Sequence, residues 1–196
     1  MNTFWWEDGR LLGHNTDVAG IAATIHALRP RGIDGDVIVL GAGGSAAAVL
    51  VALDGAQRAA DSRTIVIART PARADALIRR VNTDAQLVAD GAAVAWSRAG
   101  LVINATPMGM DTSDDLPMDP TLLPPHAAVF DLVYARERTR WVNEASARGL
   151  DAEDGLRMLV EQGAAAFETW FGTAAPREAM WRALGVPMPA AQAVRW

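Results

Sequence analysis

A doubly wound α/β fold, with a parallel sheet and helices on both faces, is predicted by three features of this 196-residue sequence. The first is the apolar run Val37-Ile38-Val39-Leu40, followed at once by Gly41-Ala42-Gly43-Gly44-Ser45-Ala46 and an alanine-rich helical stretch. That order is strand, glycine turn, helix. The second is the alternation of short apolar runs with helical patterns from Asp36 onward, which implies parallel strands joined by right-handed crossovers. The third is composition: 51% hydrophobic residues and a mean hydropathy of +0.09 suit an Ala/Val/Leu-rich α/β chain and exclude wholesale disorder.

The elements follow in order. Phe4-Trp5-Trp6 and Arg10-Leu11-Leu12 flank Glu7-Asp8-Gly9, the signature of a β-hairpin with an Asp-Gly turn. Asn15-Thr16-Asp17 are cap-type residues opening a helix whose apolar stripe is Val18, Ile21, Ile25 and Leu28. Strands are predicted at 37–40, 64–68, 92–96, 101–106 and 128–133, and helices at 72–81, 138–148, 156–171 and 177–184. The Pro/Ala-rich end, 186–196, is predicted to be a flexible tail.

The glycine turn carries the first functional expectation. Gly41 permits a tight turn, Gly43 lets backbone N–H groups approach a pyrophosphate, and Ala46 lets the helix pack close to the sheet. Gly41, Ala42, Gly43, Gly44 and Ser45 would then present a helix N-terminus to an anion. A merely structural βα turn is the alternative. The second strand refines the expectation: its end carries no acidic ribose ligand but reads Ala68-Arg69-Thr70-Pro71-Ala72-Arg73. A guanidinium forks onto a 2′-phosphate and stacks on adenine, so Arg69 and Arg73 favour NADP over NAD. Otherwise they are solvated cations at a helix start, where the dipole disfavours them.

Bulk properties exclude other classes. A net charge of −5 gives no footprint for nucleic acid. With no cysteine there is no disulfide framework, thiolate metal site or thiol nucleophile, and no metal site is expected. No apolar run reaches membrane-spanning length and Met1–Arg10 lacks a signal-peptide pattern, so the expectation is a cytoplasmic protein without a membrane partner.

Three further segments sit where an open α/β sheet binds ligands, outside the carboxyl ends of its strands. They are Asn104-Ala105-Thr106-Pro107-Met108-Gly109-Met110, Asp131-Leu132-Val133-Tyr134, and Asp154-Gly155-Leu156 with Gln162 two turns along the next helix. Each has a second reading, in which Met108 and Met110 fill core gaps, Tyr134 is a rim aromatic and Gln162 is a solvated helix position.

Taken together, GRLLGHNTDVAG (9–20), VLGAGGSA (39–46), ARTPAR (68–73), INATPMGM (103–110), DLVY (131–134) and DGLRMLVEQGAAAFETWFG (154–172) resemble the shikimate/quinate dehydrogenase family, in family order over nearly the whole chain. The resemblance implies a Rossmann-like nucleotide domain facing an α/β substrate domain, and reduction of 3-dehydroshikimate to shikimate with NADPH. It implies that Asp17 is the acidic member of the catalytic pair, and that Asn2, Asp17, Tyr134 and Gln162 contact substrate. It assigns Gly41, Ala42, Gly43, Gly44, Ser45, Ala68, Arg69, Thr70, Arg73, Thr106, Met108, Leu132, Gly155 and Met158 to the cofactor, the last few around its nicotinamide. Ala68 stands where the family usually has asparagine. Residues 1–29 then correspond to a remnant of the substrate domain and a linking helix, 30–155 to the NADP-binding domain, and 156–185 to helices that pack toward the substrate domain. The family also carries about a hundred residues before its Asn-Thr motif, including a Ser-x-Ser clamp and a catalytic lysine. Here all 18 Lys+Arg residues are arginine. Arginine is a poor proton shuttle because its pKa lies above about 12. His14, three residues before Asp17, is a weak candidate for that proton role. The expectation is a chain impaired as an enzyme on its own, or a non-catalytic NADP-binding module, with a second copy or a partner covering the hairpin and C-terminal helices.

Overall fold

A computed structural model of the chain describes residues 1–186, 188 and 189. At the front, β1 (Thr3–Glu7) and β2 (Arg10–His14) pair antiparallel with Trp5 opposite Leu12. Asp8 and Gly9 both lie at positive φ, 49° and 74°, as a two-residue turn matched to strand twist requires. Helix α1 (Asp17–Leu28) follows, then β3 (Asp36–Leu40), α2 (Gly44–Asp54), β4 (Thr64–Ile67), α3 (Pro71–Val81) and β5 (Gln86–Val88). The second half runs β6 (Ala99–Asn104), β7 (Ala128–Asp131), α4 (Arg140–Ala147), β8 (Asp151–Glu153), α5 (Leu156–Phe171) and α6 (Arg177–Ala183).

Strands β3 to β8 form one parallel sheet in the order β5-β4-β3-β6-β7-β8. Successive crossovers step outward from β3 on one side and from β6 on the other. The crevice where the order reverses therefore opens beyond the carboxyl ends of β3 and β6. Period-two alternation sorts the strand side chains between two cores. Val37, Val39, Leu101, Ile103 and Phe130 join Ile21 and Ile25 of α1, Val49 and Leu53 of α2 and Leu77 of α3 on one face. Ile38, Leu40, Val102 and Val129 join Trp141 and Ala145 of α4 on the other. The stripe predicted on α1 is the buried one: Ile21, Ile25 and Leu28 are core, with Val18 partly covered. Helix α5 packs along α1 and also contacts α6. The crossing of α1 and α5 needs Gly20, where a Cβ would lie 2.5 Å from the Met158 carbonyl oxygen.

Three local expectations are corrected, and one strand is added. The strand expected at 92–96 lies instead at β5, where Gln86, Leu87 and Val88 pair with Ile65, Val66 and Ile67. Residues Gly91–Ala93 wind into a 3-10 turn because Asp90 Oδ1 accepts the Ala92 N–H at 2.9 Å and Trp96 Nε1 donates to the Gly91 carbonyl at 3.0 Å. Strand β8 has no sequence signal: Asp-Ala-Glu carries no apolar pattern, and its ladder to β7 decides it. Helix α4 begins at Arg140, later than its sequence pattern, because Arg138 sits at φ 65° and the Thr139 hydroxyl accepts the Val142 N–H at 3.4 Å. Thr16 is the N-cap of α1 without capping through its side chain: its hydroxyl donates to Asn2 Oδ1 at 3.1 Å. Of the expected tail, 186–196, only Val186, Met188 and Pro189 fall within the described residues.

Candidate functional site

A cleft of about 690 Å³ occupies the crevice beyond β3 and β6. Its floor is the turn Leu40-Gly41-Ala42-Gly43, one wall is Ile67–Thr70 with Arg73, and the other is Ala105–Met108 with Met110. Gly41 has φ 113°, and a Cβ there would meet the Ala105 carbonyl oxygen at 2.8 Å, so the turn and the facing wall touch backbone to backbone. Gly43 and Gly44 are different: a Cβ on either would meet nothing within 4 Å. They face open space at the start of α2, where the first helical hydrogen bond is Ala47 N–H to the Gly43 carbonyl at 3.1 Å. The N–H groups of Gly44, Ser45 and Ala46 precede that bond, and no acidic residue stands in the first turn. The helix end is therefore an unsatisfied donor array with a positive dipole. Ala46 is fully buried against the sheet, as its small side chain predicts.

The rim is polar. Arg69 and Arg73 are exposed and, among the described residues, neither forms an ion pair. Thr70 caps α3 without a hydrogen bond from its hydroxyl and lines the cleft. Two acidic residues that the sequence reading passed over, Asp111 and Asp114, line the opposite side. Asp114 Oδ2 accepts the Gly109 and Asp111 N–H groups at 2.9 and 3.2 Å, tying that loop closed. Hydrogen bonds from the Ser113 hydroxyl and N–H hold the Asp111 carboxyl below its ordinary range. Met110, 74% exposed, is no core filler: it stands at the cleft mouth.

One wall is organised by a buried polar chain. Asp131 and Asn104, both fully buried, end neighbouring strands in register. Asn104 Nδ2 donates to Asp131 Oδ1 at 2.8 Å and to the Met108 carbonyl at 3.0 Å. Its Oδ1 accepts the Thr106 N–H and hydroxyl at 3.0 and 2.6 Å, and Thr106 Oγ1 in turn accepts the Met108 N–H at 3.1 Å. Asp131 also accepts from Thr139 Oγ1 at 2.7 Å and from the Val133 N–H at 3.1 Å. Burial is the dominant influence on this carboxyl and pushes it up to about 6. The hydrogen bonds from Thr139, Asn104 and Val133 pull the other way, while the charge of Asp154 adds to the rise. Asp154 is raised too, chiefly by burial, although the Leu156 N–H donates to its Oδ1 at 3.0 Å.

The remaining predicted residues lie further along the same edge. Gly155 fits only as glycine, since a Cβ would stand 2.3 Å from the Leu132 carbonyl oxygen and 3.4 Å from Tyr134 Cδ1. This brings Leu132, Tyr134 and Gly155 together, with Leu132 and Met158 both packed on the α1-side core. They are outside the lining of the 690 Å³ cleft, as are Gly44 and Ser45. At the start of α1, Asn2 Nδ2 donates to Asp17 Oδ1 at 2.8 Å, while Asn2 Oδ1 accepts the Thr16 N–H at 2.9 Å. The amide of Asn2 thus orients the Asp17 carboxylate at the entrance of α1. Gln162 approaches α1 at Gly20, whose built Cβ lies 3.2 Å from the Gln162 N. Tyr134 is 52% exposed, and His14 is exposed on β2. Among the described residues no helix is long and apolar enough to cross a membrane.

Comparison with known proteins places this arrangement. The model of the shikimate 5′-dehydrogenase C-terminal domain matches residues 155–184. A shikimate dehydrogenase (NADP(+)) from Mesorhizobium japonicum is 42% identical over 188 residues, covering 94% of this chain and 65% of its own length. The shikimate dehydrogenase structure from Aquifex aeolicus superposes with a TM-score of 0.81 at 27% identity, covering 92% of this chain and 65% of that one. The shikimate 5-dehydrogenase of Thermus thermophilus, solved with shikimate, is 37% identical with a TM-score of 0.72, covering 93% of this chain and 67% of that one. The chain spans 60–65% of the length of the first curated relatives it matches. At 37% identity over two thirds of the Thermus thermophilus enzyme's length, this chain belongs to the shikimate dehydrogenase family.

Proposed function

We propose that the chain forms the dinucleotide-binding part, and a portion of the substrate-binding part, of an NADP-dependent shikimate dehydrogenase that converts 3-dehydroshikimate, NADPH and a proton to shikimate and NADP⁺. The observation that carries this is the cleft at the strand-order reversal, with a donor-rich helix end on its floor and, on its rim, two arginines without an ion pair among the described residues. The residues present fit a dinucleotide: Gly43 and Gly44 leave open space where a Cβ would crowd a pyrophosphate, and Gly41 needs its positive φ. Gly41 through Ser45 would hold the diphosphate, Ala68 and Thr70 the adenosine side, and Arg69 and Arg73 the 2′-phosphate. Thr106 and Met108 would form the facing wall, and Leu132, Gly155 and Met158 the nicotinamide end. When bound, NADPH supplies the hydride.

The chain's own residues orient and protonate. Asn2 fixes Asp17 through the 2.8 Å hydrogen bond, so the carboxylate presents one oxygen to a substrate hydroxyl and exchanges its proton there. Tyr134 and Gln162 would add polar contacts to the same ring. A second reading is a non-catalytic NADP-binding module, and turnover separates the two. The proposal includes a cytoplasmic location. It also includes coverage of exposed Phe4, Trp6, Leu11, Trp170 and Phe171 by a second copy or a partner chain, which light scattering would reveal as association.

Calorimetric titration tests the dinucleotide reading. Charge-assisted contacts to a phosphate are worth about 1.5–3 kcal/mol each, so NADPH should bind at least about tenfold more tightly than NADH. Arg69→Ala should remove most of that preference and leave NADH affinity near its starting value, whereas equal affinities in the parent chain would refute the reading. Assay of NADPH formation from shikimate separates the two functional readings. Loss of a positioned proton-transfer partner costs about 10²–10⁴ in rate, so the 196-residue chain alone should turn over far below a full-length relative. Robust turnover abolished by Asp17→Asn would make it a complete catalyst.

A further inference from the structure

Asp131 has no place in the chemistry proposed above, yet it is fully buried and each of its hydrogen-bond donors among the described residues is neutral. Burying a carboxylate without a cation is costly, so a residue kept there calls for a purpose. Its partners supply one. Because an ionised carboxylate only accepts, it dictates that the Asn104 side chain present its amide nitrogen to β7 and its oxygen to the loop. That oxygen orients the Thr106 N–H and hydroxyl, and the hydroxyl then holds the Met108 N–H. An amide turned the other way would set two oxygens against each other at Asp131 and aim its NH₂ at the Thr106 N–H. The carboxylate therefore anchors to β7 an amide whose polarity it sets together with the Met108 carbonyl and the Thr106 N–H, at the head of three successive links ending in the cleft wall.

Resting on the dinucleotide reading, we infer that Asp131 is a positioning residue for the cofactor: acting through Asn104, it holds the Thr106–Met108 segment in the conformation that the dinucleotide meets. The conservative variant gives a specific expectation. In Asp131→Asn the side-chain oxygen still accepts from Asn104 Nδ2 and Val133 N–H, while the new NH₂ donates to a Thr139 hydroxyl turned to accept. The chain of polarity survives. In Asp131→Ala only the Met108 carbonyl still accepts from Asn104 Nδ2, and the strand-side anchor of the amide is gone.

The experiment measures NADPH affinity by calorimetry and, in the ligand-free chain, amide hydrogen exchange at Thr106 and Met108. Asp131→Ala should weaken NADPH binding at least about tenfold and accelerate exchange at both amides at least about tenfold, with exchange in β3 unchanged. Asp131→Asn should return both quantities to within about threefold of the parent. Parent-like affinity and exchange in Asp131→Ala overturn the inference, as does an Asn variant no better than the Ala variant. If Asp131→Ala does not fold, Asn104→Ala decides. It should loosen Thr106 and Met108 in the same way with the carboxylate intact, and parent-like exchange there would overturn the inference. A parent chain that binds no NADPH sinks the dinucleotide reading instead, and the exchange measurements still establish whether Asp131 governs the loop.

Discussion

The two edges of the central sheet each bury an aspartate, and they treat it oppositely. Asp36 opens β3 at the amino edge and lies beside cations: Arg63 Nη2 is 2.5 Å from Oδ2, Arg63 N–H and Nε both reach Oδ1, and Arg98 Nε stands 3.4 Å away. Burial alone would raise this carboxyl, but the hydrogen bonds and charges of Arg63, with Arg98, outweigh it and hold it below the ordinary range. Asp131 closes β7 at the carboxyl edge with only neutral donors, and burial wins. One edge is locked by charge and plays no part in the cleft. The other forgoes a cation, is pushed up by burial and reaches the Thr106–Met108 loop through Asn104. Stability and function occupy opposite ends of the same sheet.

The sharpest test of that contrast is the pH dependence of unfolding. For Asp131 the folded value of about 6 lies above an unfolded value near 3.8. The folded state therefore binds more protons between them, and this group's contribution is fully present below about pH 4 and lost as pH rises through 6. At about 1.4 kcal/mol per unit, a gap of about two units is worth roughly 3 kcal/mol. Asp131→Asn should erase that fall, leaving the variant at least as stable as the parent at about pH 7. Denaturant titrations at about pH 4.5 and 7 would show it, and a parent curve flat between those values would break the comparison.

Asp36 has the opposite sign. Its folded pKa is depressed, so its contribution is present above the ordinary aspartate value and is lost as pH falls through the lower folded one. Asp36→Asn should cost about 2 kcal/mol at about pH 7, less than a fully buried pair because Arg63 and Arg98 stay half-solvated. NADPH affinity of the folded fraction should not change, and a loss there would mean that the two edges are coupled. The smallest effect is expected far from both edges. Arg182 and Glu178 pair at 2.8 Å on α6 with both side chains about three-quarters exposed, and Arg182→Ala should leave the thermal midpoint where it was.

Much of this was readable from residue order. The glycine turn after an all-apolar strand, the helix stripe on α1 and the full span of α5 all follow from local pattern, because each is stabilised by periodic burial that the sequence displays. What escaped reading depends on partners distant in sequence or on loop chemistry. Strand β8 has two acids in three residues and exists because β7 offers a free edge, while residues 92–96 looked extended until Asp90 and Trp96 captured their backbone. The Asn104–Asp131 pair, 27 residues apart, could be placed at one sheet edge but not seen to bond. Asp111 and Asp114 belong to an irregular loop and carried no pattern at all.

The crossing of α1 and α5 at Gly20 has a mechanical consequence. With the Met158 carbonyl 2.5 Å from where a Cβ would go, position 20 contributes no side chain to act as a compressible spacer. Asp17 rides three residues before the contact and Gln162 four residues after Met158, so the separation of these two groups is gauged by backbone against backbone. Even one added methyl at position 20 would pry the helices apart and respace the polar groups at both ends, from a point that carries neither of them. The tolerance of the proposed substrate face is therefore set by a residue with no side chain.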